Sequence, residues 1–517
     1  MILESARPLR RIRPDTYLFF FVSFALVVFL THLPYLDLPF YWDELGYFIP
    51  AALDLFQHGS WVPHSTLPYP HPPGLMAYLA GVWQLFGYSI PATRSAMLLL
   101  ASACELLVFL LAIQLCRGAR GAPGFAAALL VLTSPLFYTQ AMLAQMDLPA
   151  MLFTVWALLA FLQGRFLASA WLATALVLFR ETGMVVPLVF AFWLWRGGKR
   201  REACYFVLPV VALGGWLLGL AIWTGRLFGN PQFTDYNLLY PLHPLRLAVP
   251  LLRRCHYLFL ADFHWLGWLA VLLAWRRNRI YSHQAWRVTA SLAVAQVLVV
   301  SLLGGATLER YLLPVILLLY IAMAAAFASL VSRWARLGQA ALLAGLLACL
   351  FVNPPYPFPY ENNLAVTDFV RLQQTAAQFL ERRYPGRTIT TAWPFSAALR
   401  RPEYGYVRKP LAVREITDFG PSRLAALPSS AVQVFVLYSK EWDPGLNLWR
   451  FPLFQTLRQR FYGWEAPLSS QALEARFGLA PVAHWTRRGQ WIAVFEKHPG
   501  APGSNHVARL STWTFMK

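Results

Sequence analysis

Eight apolar runs, almost free of charge, constrain this chain more than any other feature. They cover residues 18–30, 98–115, 124–137, 148–162, 205–223, 288–303, 312–331 and 340–352. A helix crossing a bilayer needs about 20 residues, and most of these runs reach that length once their flanks are added. Helices are the natural way to cross lipid, because every backbone N–H and C=O is then satisfied within its own segment. A soluble fold is excluded by the same pattern. Of 517 residues, 58% are hydrophobic and 13% charged, whereas single hydrophobic cores stop growing near ~250–300 residues. Two further runs, 167–179 and 184–195, are short and meet at Arg180-Glu181-Thr182-Gly183; they read as thin or tilted helices joined near the outer face.

The distribution of Lys and Arg sets the expected orientation. With the N-terminus inside, segments 1–14, 117–120, 165, 196–201, 276–287 and 333–336 are cytoplasmic and carry 17 basic residues. The outer segments 34–94, 180, 226–256 and 305–312 are longer and carry 7. About eleven crossings follow, and an odd number places residues 353 onward outside. The first run is followed by Leu33-Pro34-Tyr35 and not by a small-residue cleavage site, so it reads as a span and not a removed signal.

The net charge of +20 is explained by these anchors and by 20 basic residues in the tail. It favours anionic headgroups over nucleic acid, for which no motif is present. None of the five Cys lies in the tail, and no two are spaced as metal ligands. The tail, 353–517, leaves the membrane through Asn353-Pro-Pro-Tyr-Pro-Phe-Pro-Tyr360. A helix over 366–384 and strands near 387–391, 432–438 and 491–495 predict a small α/β domain. The expected organisation is therefore a membrane domain over 1–352 and a periplasmic α/β domain over 353–517.

Ionisable groups at the membrane edge are costly, and each is a functional candidate. Asp43 and Glu44 follow Phe40-Tyr41-Trp42 directly after the first span. Their ordinary reading is a solvated loop, with Tyr41 and Trp42 as interfacial belt residues; their functional reading is Asp43 as a base toward an acceptor hydroxyl, with Glu44 fixing a neighbour. His71-Pro72-Pro73-Gly74 precedes a short amphipathic helix over 75–86, and His71 is either a plain loop histidine or a partner for an anionic group. Asp147 is either a helix cap or a site acid. Arg180 and Glu181 form either a local pair or part of a site. Arg310 beside Tyr311, before Pro314, suits a lipid phosphate, which a guanidinium binds with two parallel hydrogen bonds.

In order and spacing, this set resembles the GT-C superfamily of glycosyltransferases over about 1–353. It is most similar to the branch holding the protein O-mannosyltransferases and the lipid A aminoarabinose transferases. The resemblance implies an α-helical GT-C membrane protein of a bacterial inner membrane. Its implied reaction is an inverting transfer from a polyprenyl-phosphate-linked sugar donor to an envelope glycan, lipid or protein outside the cytoplasm. Asp43 matches the family's base, with Glu44 and Asp147 in the catalytic set. Arg310 and Tyr311 match its late Arg-Tyr element, and Arg180 stands where relatives often have Lys. His71 stands where relatives have a Lys that approaches the carrier phosphate, which is a departure. Some members bind a divalent metal near the first-loop acids, but no ligand set in this sequence is assigned to one. A flippase for polyprenyl-linked glycans also needs outer-edge Arg residues, but transporters usually show broken helices with polar residues near the midplane and internal repeats, whereas here the charges gather at one face. A receptor or scaffold acting through the tail predicts indifference to changes at Asp43.

Overall fold

The computed structural model describes residues 13–116, 123–239, 243–278, 280–303, 306–442 and 451–497. Residues 1–12 and 117–120, which hold part of the basic anchors counted above, lie outside the described residues. The chain divides into two compact units. The first comprises Met1–Asp37 and Tyr47–Val352, and the second Leu38–Gly46 and Asn353–Lys517.

The first unit is helical. Its helices are α1 (Pro14–His32), α2 (Ile49–His58), α3 (Gly74–Phe86), α4 (Ile90–Leu115), α5 (Pro123–Thr133), α6 (Pro135–Met142), α7 (Asp147–Leu162), α8 (Phe166–Phe179) and α9 (Val185–Arg196). There follow α10 (Arg200–Ala203), α11 (Val207–Thr224), α12 (Pro231–Thr234), α13 (Pro244–Phe259), α14 (His264–Asn278), α15 (Gln284–Leu302), α16 (Leu313–Ser329) and α17 (Arg333–Phe351). Among the described residues, six helical stretches are long and apolar enough to cross a membrane, or eight if two bent pairs each count as one. This is a multi-pass membrane protein. The bends have local causes. The α5–α6 pair turns by 69° at Ser134-Pro135, where proline cannot continue the hydrogen-bond ladder. The α13–α14 pair turns by 47° where Asp262 and Phe263 take left-handed backbone angles, φ 49° and 63°.

Burial separates central helices from peripheral ones. In α16 and α4, 83% and 72% of the most apolar stretch is buried, against 11% in α1. Helix α4 packs on α1, α5 and α7, and α16 packs on α5, α7 and α14. Leu18, Phe19 and Leu26 of α1 and Ile222 and Trp223 of α11 face outward, as a lipid solvent requires. The amphipathic helix expected after the proline pair is α3, which buries Leu75, Met76, Leu79, Ala80 and Trp83 on one face. Gly74 begins it for a steric reason: a Cβ there would lie 2.5 Å from the carbonyl oxygen of Leu178 at the end of α8.

The second unit carries a five-stranded sheet of order β2-β1-β3-β5-β4. Its strands are β1 (Ile389–Ala392), β2 (Val413–Ile416), β3 (Val434–Tyr438), β4 (Leu479–Arg487) and β5 (Gln490–Lys497). Strand β1 runs parallel to both β2 and β3, while β3–β5 and β4–β5 are antiparallel. Strands β1 and β3 are buried at every residue; β3 (Val-Phe-Val-Leu-Tyr) therefore reads as a continuous apolar run and not as an alternation, while β1 buries Thr390 and Thr391. The helix expected over 366–384 is α18 (Ala365–Arg383), packed on β4 and β5. Strands β2 and β4 were not anticipated.

Candidate functional site

Charged side chains converge at one end of the helical unit. Asp147 is the first residue of α7, after Met146 at the N-cap position. Its carboxylate engages two guanidiniums: one oxygen pairs with Arg180 Nη1, and the other lies 3.2 Å from Arg310 Nε. Arg180 caps the end of α8 and donates from Nε to the Thr182 hydroxyl at 3.0 Å. Arg310 sits in the turn Glu309–Leu312 before α16 and donates to Gln145 Oε1 at 2.7 Å. Both guanidiniums lie by the Tyr311 ring, 4.4 Å and 5.6 Å from its centre. Asp147, Arg180 and Arg310 are each less than a tenth exposed, so water screens these charges weakly. A cavity lined by Asp147, Thr154, Arg180, Thr182, Gln296 and Tyr311 opens beside them.

Sequence reasoning missed Arg254. It lies in α13, is 2% exposed, and none of its three guanidinium nitrogens has a hydrogen-bond partner among the described residues. Its electrostatic neighbours are Tyr311, Glu309, Arg253 and Arg180. Arg253 alongside it is neutralised by Glu309, Nε to Oε1 at 2.5 Å. A buried guanidinium without a partner costs several kcal/mol, and it is an anion receptor in form. The signal that would have found it is the adjacent pair Arg253-Arg254 directly after the apolar stretch 247–252 of α13.

The local Arg180–Glu181 pair considered from sequence is only part of the arrangement. Glu181 turns instead to His71, whose Nδ1 lies 3.0 Å from its Oε2. His71 is therefore paired with a carboxylate 110 positions away in the chain. Burial alone would raise the Glu181 carboxyl. The charge of His71 and its hydrogen bond, with Arg180, outweigh that and hold it down at about 2.

Asp43 and Glu44 belong to the second unit with Leu38–Gly46. The backbone there is fixed from several sides. Phe40 N–H donates to the Tyr404 carbonyl at 3.3 Å, and the Tyr406 hydroxyl donates to the Phe40 carbonyl at 2.7 Å. Tyr41 and Trp42 pack on Phe369, and Trp42 also meets Trp393 edge-on at 5.2 Å. These two aromatics are therefore packing residues of the sheet unit, which corrects their reading as interfacial belt residues. Glu44 is fully buried and accepts the Tyr41 N–H at 2.7 Å. Trp42 is held in the left-handed region, φ 44°, a conformation a bulky residue adopts only when its surroundings impose it. Asp43 follows it, half-buried, at the entry to an irregular helical turn over Glu44–Phe48.

No protein-family model matches this sequence, and no curated protein matches it significantly. Solved structures do. ArnT from Cupriavidus metallidurans, bound to undecaprenyl phosphate, superposes with a TM-score of 0.55 at 15% identity, over 93% of this chain and 98% of that one. This chain shares the fold of that ArnT. The apo form of the same ArnT gives 0.51 over the same shares. An Archaeoglobus fulgidus oligosaccharyltransferase, in complex with Zn and sulfate, gives 0.49 at 13% identity, over 80% of this chain and 67% of that one. At these identities the likeness is one of architecture, and the chemistry is argued from the side chains.

Proposed function

We propose that this protein is an inverting glycosyltransferase that moves a sugar from a polyprenyl-phosphate donor to an acceptor outside the cytoplasm. The observation that carries the proposal is the buried cationic group around Tyr311: Arg180 and Arg310 aligned by Asp147, and Arg254 lacking a hydrogen-bond partner. The ArnT of the same fold holds undecaprenyl phosphate, a ligand whose single charged group suits such a receptor.

In the proposed reaction an acceptor hydroxyl oxygen attacks the anomeric carbon as the bond from that carbon to the phosphate oxygen breaks. The electron pair leaves on the phosphate, and Asp43 takes the hydroxyl proton. Leaving-group charge grows in the transition state, so fixed positive groups at the phosphate lower the barrier. Arg180, Arg310 and Arg254 take that role, with the Tyr311 ring beside the first two. Glu44 secures the turn that carries Asp43. Asp147, placed among the catalytic acids from sequence, is here a positioning residue for two arginines. His71 replaces the family's Lys and acts with Glu181. Eleven crossings are assigned to α1, α4, α5, α7, α8, α9, α11, α14, α15, α16 and α17. The N-terminus is cytoplasmic, the sheet unit is periplasmic, and the membrane is a bacterial inner membrane. The acceptor is an envelope glycan, lipid or protein.

The test compares wild type with Asp43→Asn in membranes given labelled polyprenyl-phosphate sugars and envelope extract. Transfer by wild type alone, with equal membrane insertion of both, supports the reading. Equal transfer by both removes Asp43 as the base. Lipid scrambling without transfer by either replaces the transferase with a flippase.

A further inference from the structure

A separate cluster lies at the end of α2. Asp54 and His58 are four residues apart, so they share one helix face. Gly59 then ends the helix in the left-handed conformation, φ 69°, and its N–H returns to the Asp54 and Leu55 carbonyls. The chain doubles back so that Asp54 Oδ2 accepts the N–H groups of His64 and Ser65, each at 2.8 Å. Its other oxygen, Oδ1, lies 3.2 Å from His64 Nδ1. The imidazoles of His58 and His64 meet at 5.0 Å between ring centres. One ligand atom from each of the three side chains lies within 4.8 Å of the others. Asp54 is 3% exposed while both imidazoles reach solvent, so a cation arrives from the aqueous side onto a carboxylate already fixed in place.

We propose that Asp54, His58 and His64 bind a zinc ion. Two imidazoles and one carboxylate are a borderline-soft set, suited to Zn²⁺; Ca²⁺ and Mg²⁺ want oxygen ligands. The two backbone N–H groups on Oδ2 supply the outer shell that orients the carboxylate and leaves Oδ1 for the metal. Three protein ligands leave a fourth position for water. The plainer account, an Asp54–His64 loop clip, explains two of the residues and gives His58 no part. Zinc joins all three, tying the end of α2 to the loop that returns over it. This inference does not depend on the proposed transfer reaction.

The experiment uses the full chain in detergent, purified through a tag without histidine, stripped with chelator, and titrated with Zn²⁺ and then Co²⁺. The expected result is one equivalent of Zn²⁺ per chain, with Co²⁺ giving the visible absorption of a low-coordinate nitrogen–oxygen site. His58→Ala and His64→Ala each weaken binding by about tenfold or more. Both replace exposed side chains, so unchanged helical circular dichroism and elution volume confirm that the fold persists; Asp54→Asn is the third variant. The proposal is overturned if wild type takes up no more zinc than the His58→Ala/His64→Ala double variant. It is overturned equally if His58→Ala binds as wild type does, which leaves only the clip.

Discussion

Asp147→Asn is the perturbation that tests the electrostatics of the buried cluster most directly. The amide keeps the shape of the carboxylate but offers one acceptor oxygen, and its NH₂ faces a guanidinium that is itself only a donor. Two guanidiniums, 7% and 3% exposed, then lose their shared counter-charge. Removing one partner from a buried ion pair costs about 3–5 kcal/mol. The lower end is expected, because Arg180 keeps Thr182 and Arg310 keeps Gln145. For a protein of this size, about 3 kcal/mol corresponds to a drop in melting temperature of roughly 5 °C. The assay is tryptophan fluorescence on heating in one detergent, with and without undecaprenyl phosphate. A ligand at 100 times its Kd stabilises by about 2.7 kcal/mol, and the added phosphate replaces the missing negative charge. The variant should therefore regain most of its loss and gain more from ligand than wild type does. A variant that melts within about 1 °C of wild type, with the same ligand shift, refutes the assignment of Asp147 as counter-ion to the two arginines.

Arg254→Met replaces a buried unpartnered charge with an apolar chain of similar length; the ligand-free protein should melt higher, while stabilisation by undecaprenyl phosphate falls at least severalfold. Equal ligand response would remove Arg254 from the phosphate group. Glu181 has a lowered carboxyl pKa, so the stability it adds is fully present above about 4.5 and is lost as pH falls toward about 2. Glu181→Gln should melt lower than wild type at neutral pH, and the gap should close across that acid window; a gap constant with pH would contradict the His71 pairing. Gly74→Ala forces a Cβ to within 2.5 Å of the Leu178 carbonyl, so α3 or the end of α8 must shift, lowering melting temperature by several degrees. An unchanged melt would show that the α3–α8 contact is looser than the structure has it.

Much of the helical unit was legible because lipid imposes one rule on every crossing segment: a long uncharged run. The runs 98–115 and 312–331 are the two most buried of the six helices long and apolar enough to cross a membrane, and no local ambiguity stood in the way. Helices α5 and α13 were less legible, since the bends at Ser134-Pro135 and Asp262 depend on how neighbouring helices receive the freed backbone groups. Strand β2 was missed because Val413-Arg-Glu-Ile416 is short and half polar, while β4 carries Pro481 at a register shift. The site was legible as a set of edge charges and not as a set of partners. Asp147 finds Arg180 across 33 positions and His71 finds Glu181 across 110; no spacing rule connects such pairs. Tyr41 and Trp42 looked like belt residues because the signature of an interfacial aromatic is the same as that of one about to be packed.

The charge balance of the cluster carries one further step. Counting Arg180, Arg310, Arg253 and Arg254 against Asp147 and Glu309, and setting aside Glu181, which pairs with His71, gives a surplus of two positive charges near Tyr311. A glycosyl phosphodiester donor carries one negative charge, whereas the phosphomonoester left after transfer approaches two, its second pKa lying near ~6. A site with a surplus of two is therefore matched to the leaving group better than to the donor. That is the differential binding which speeds a reaction, since only interactions stronger in the transition state than in the ground state lower the barrier. Asp147 and Glu309 have their place in the same balance. Without them the surplus would be four, the donor itself would be held too tightly, and the advantage of the transition state over the ground state would shrink. In the proposed function the buried carboxylates adjust how much positive charge the phosphate meets, and Arg254, without a hydrogen-bond partner among the described residues, is the group whose interaction has most to gain as that charge develops.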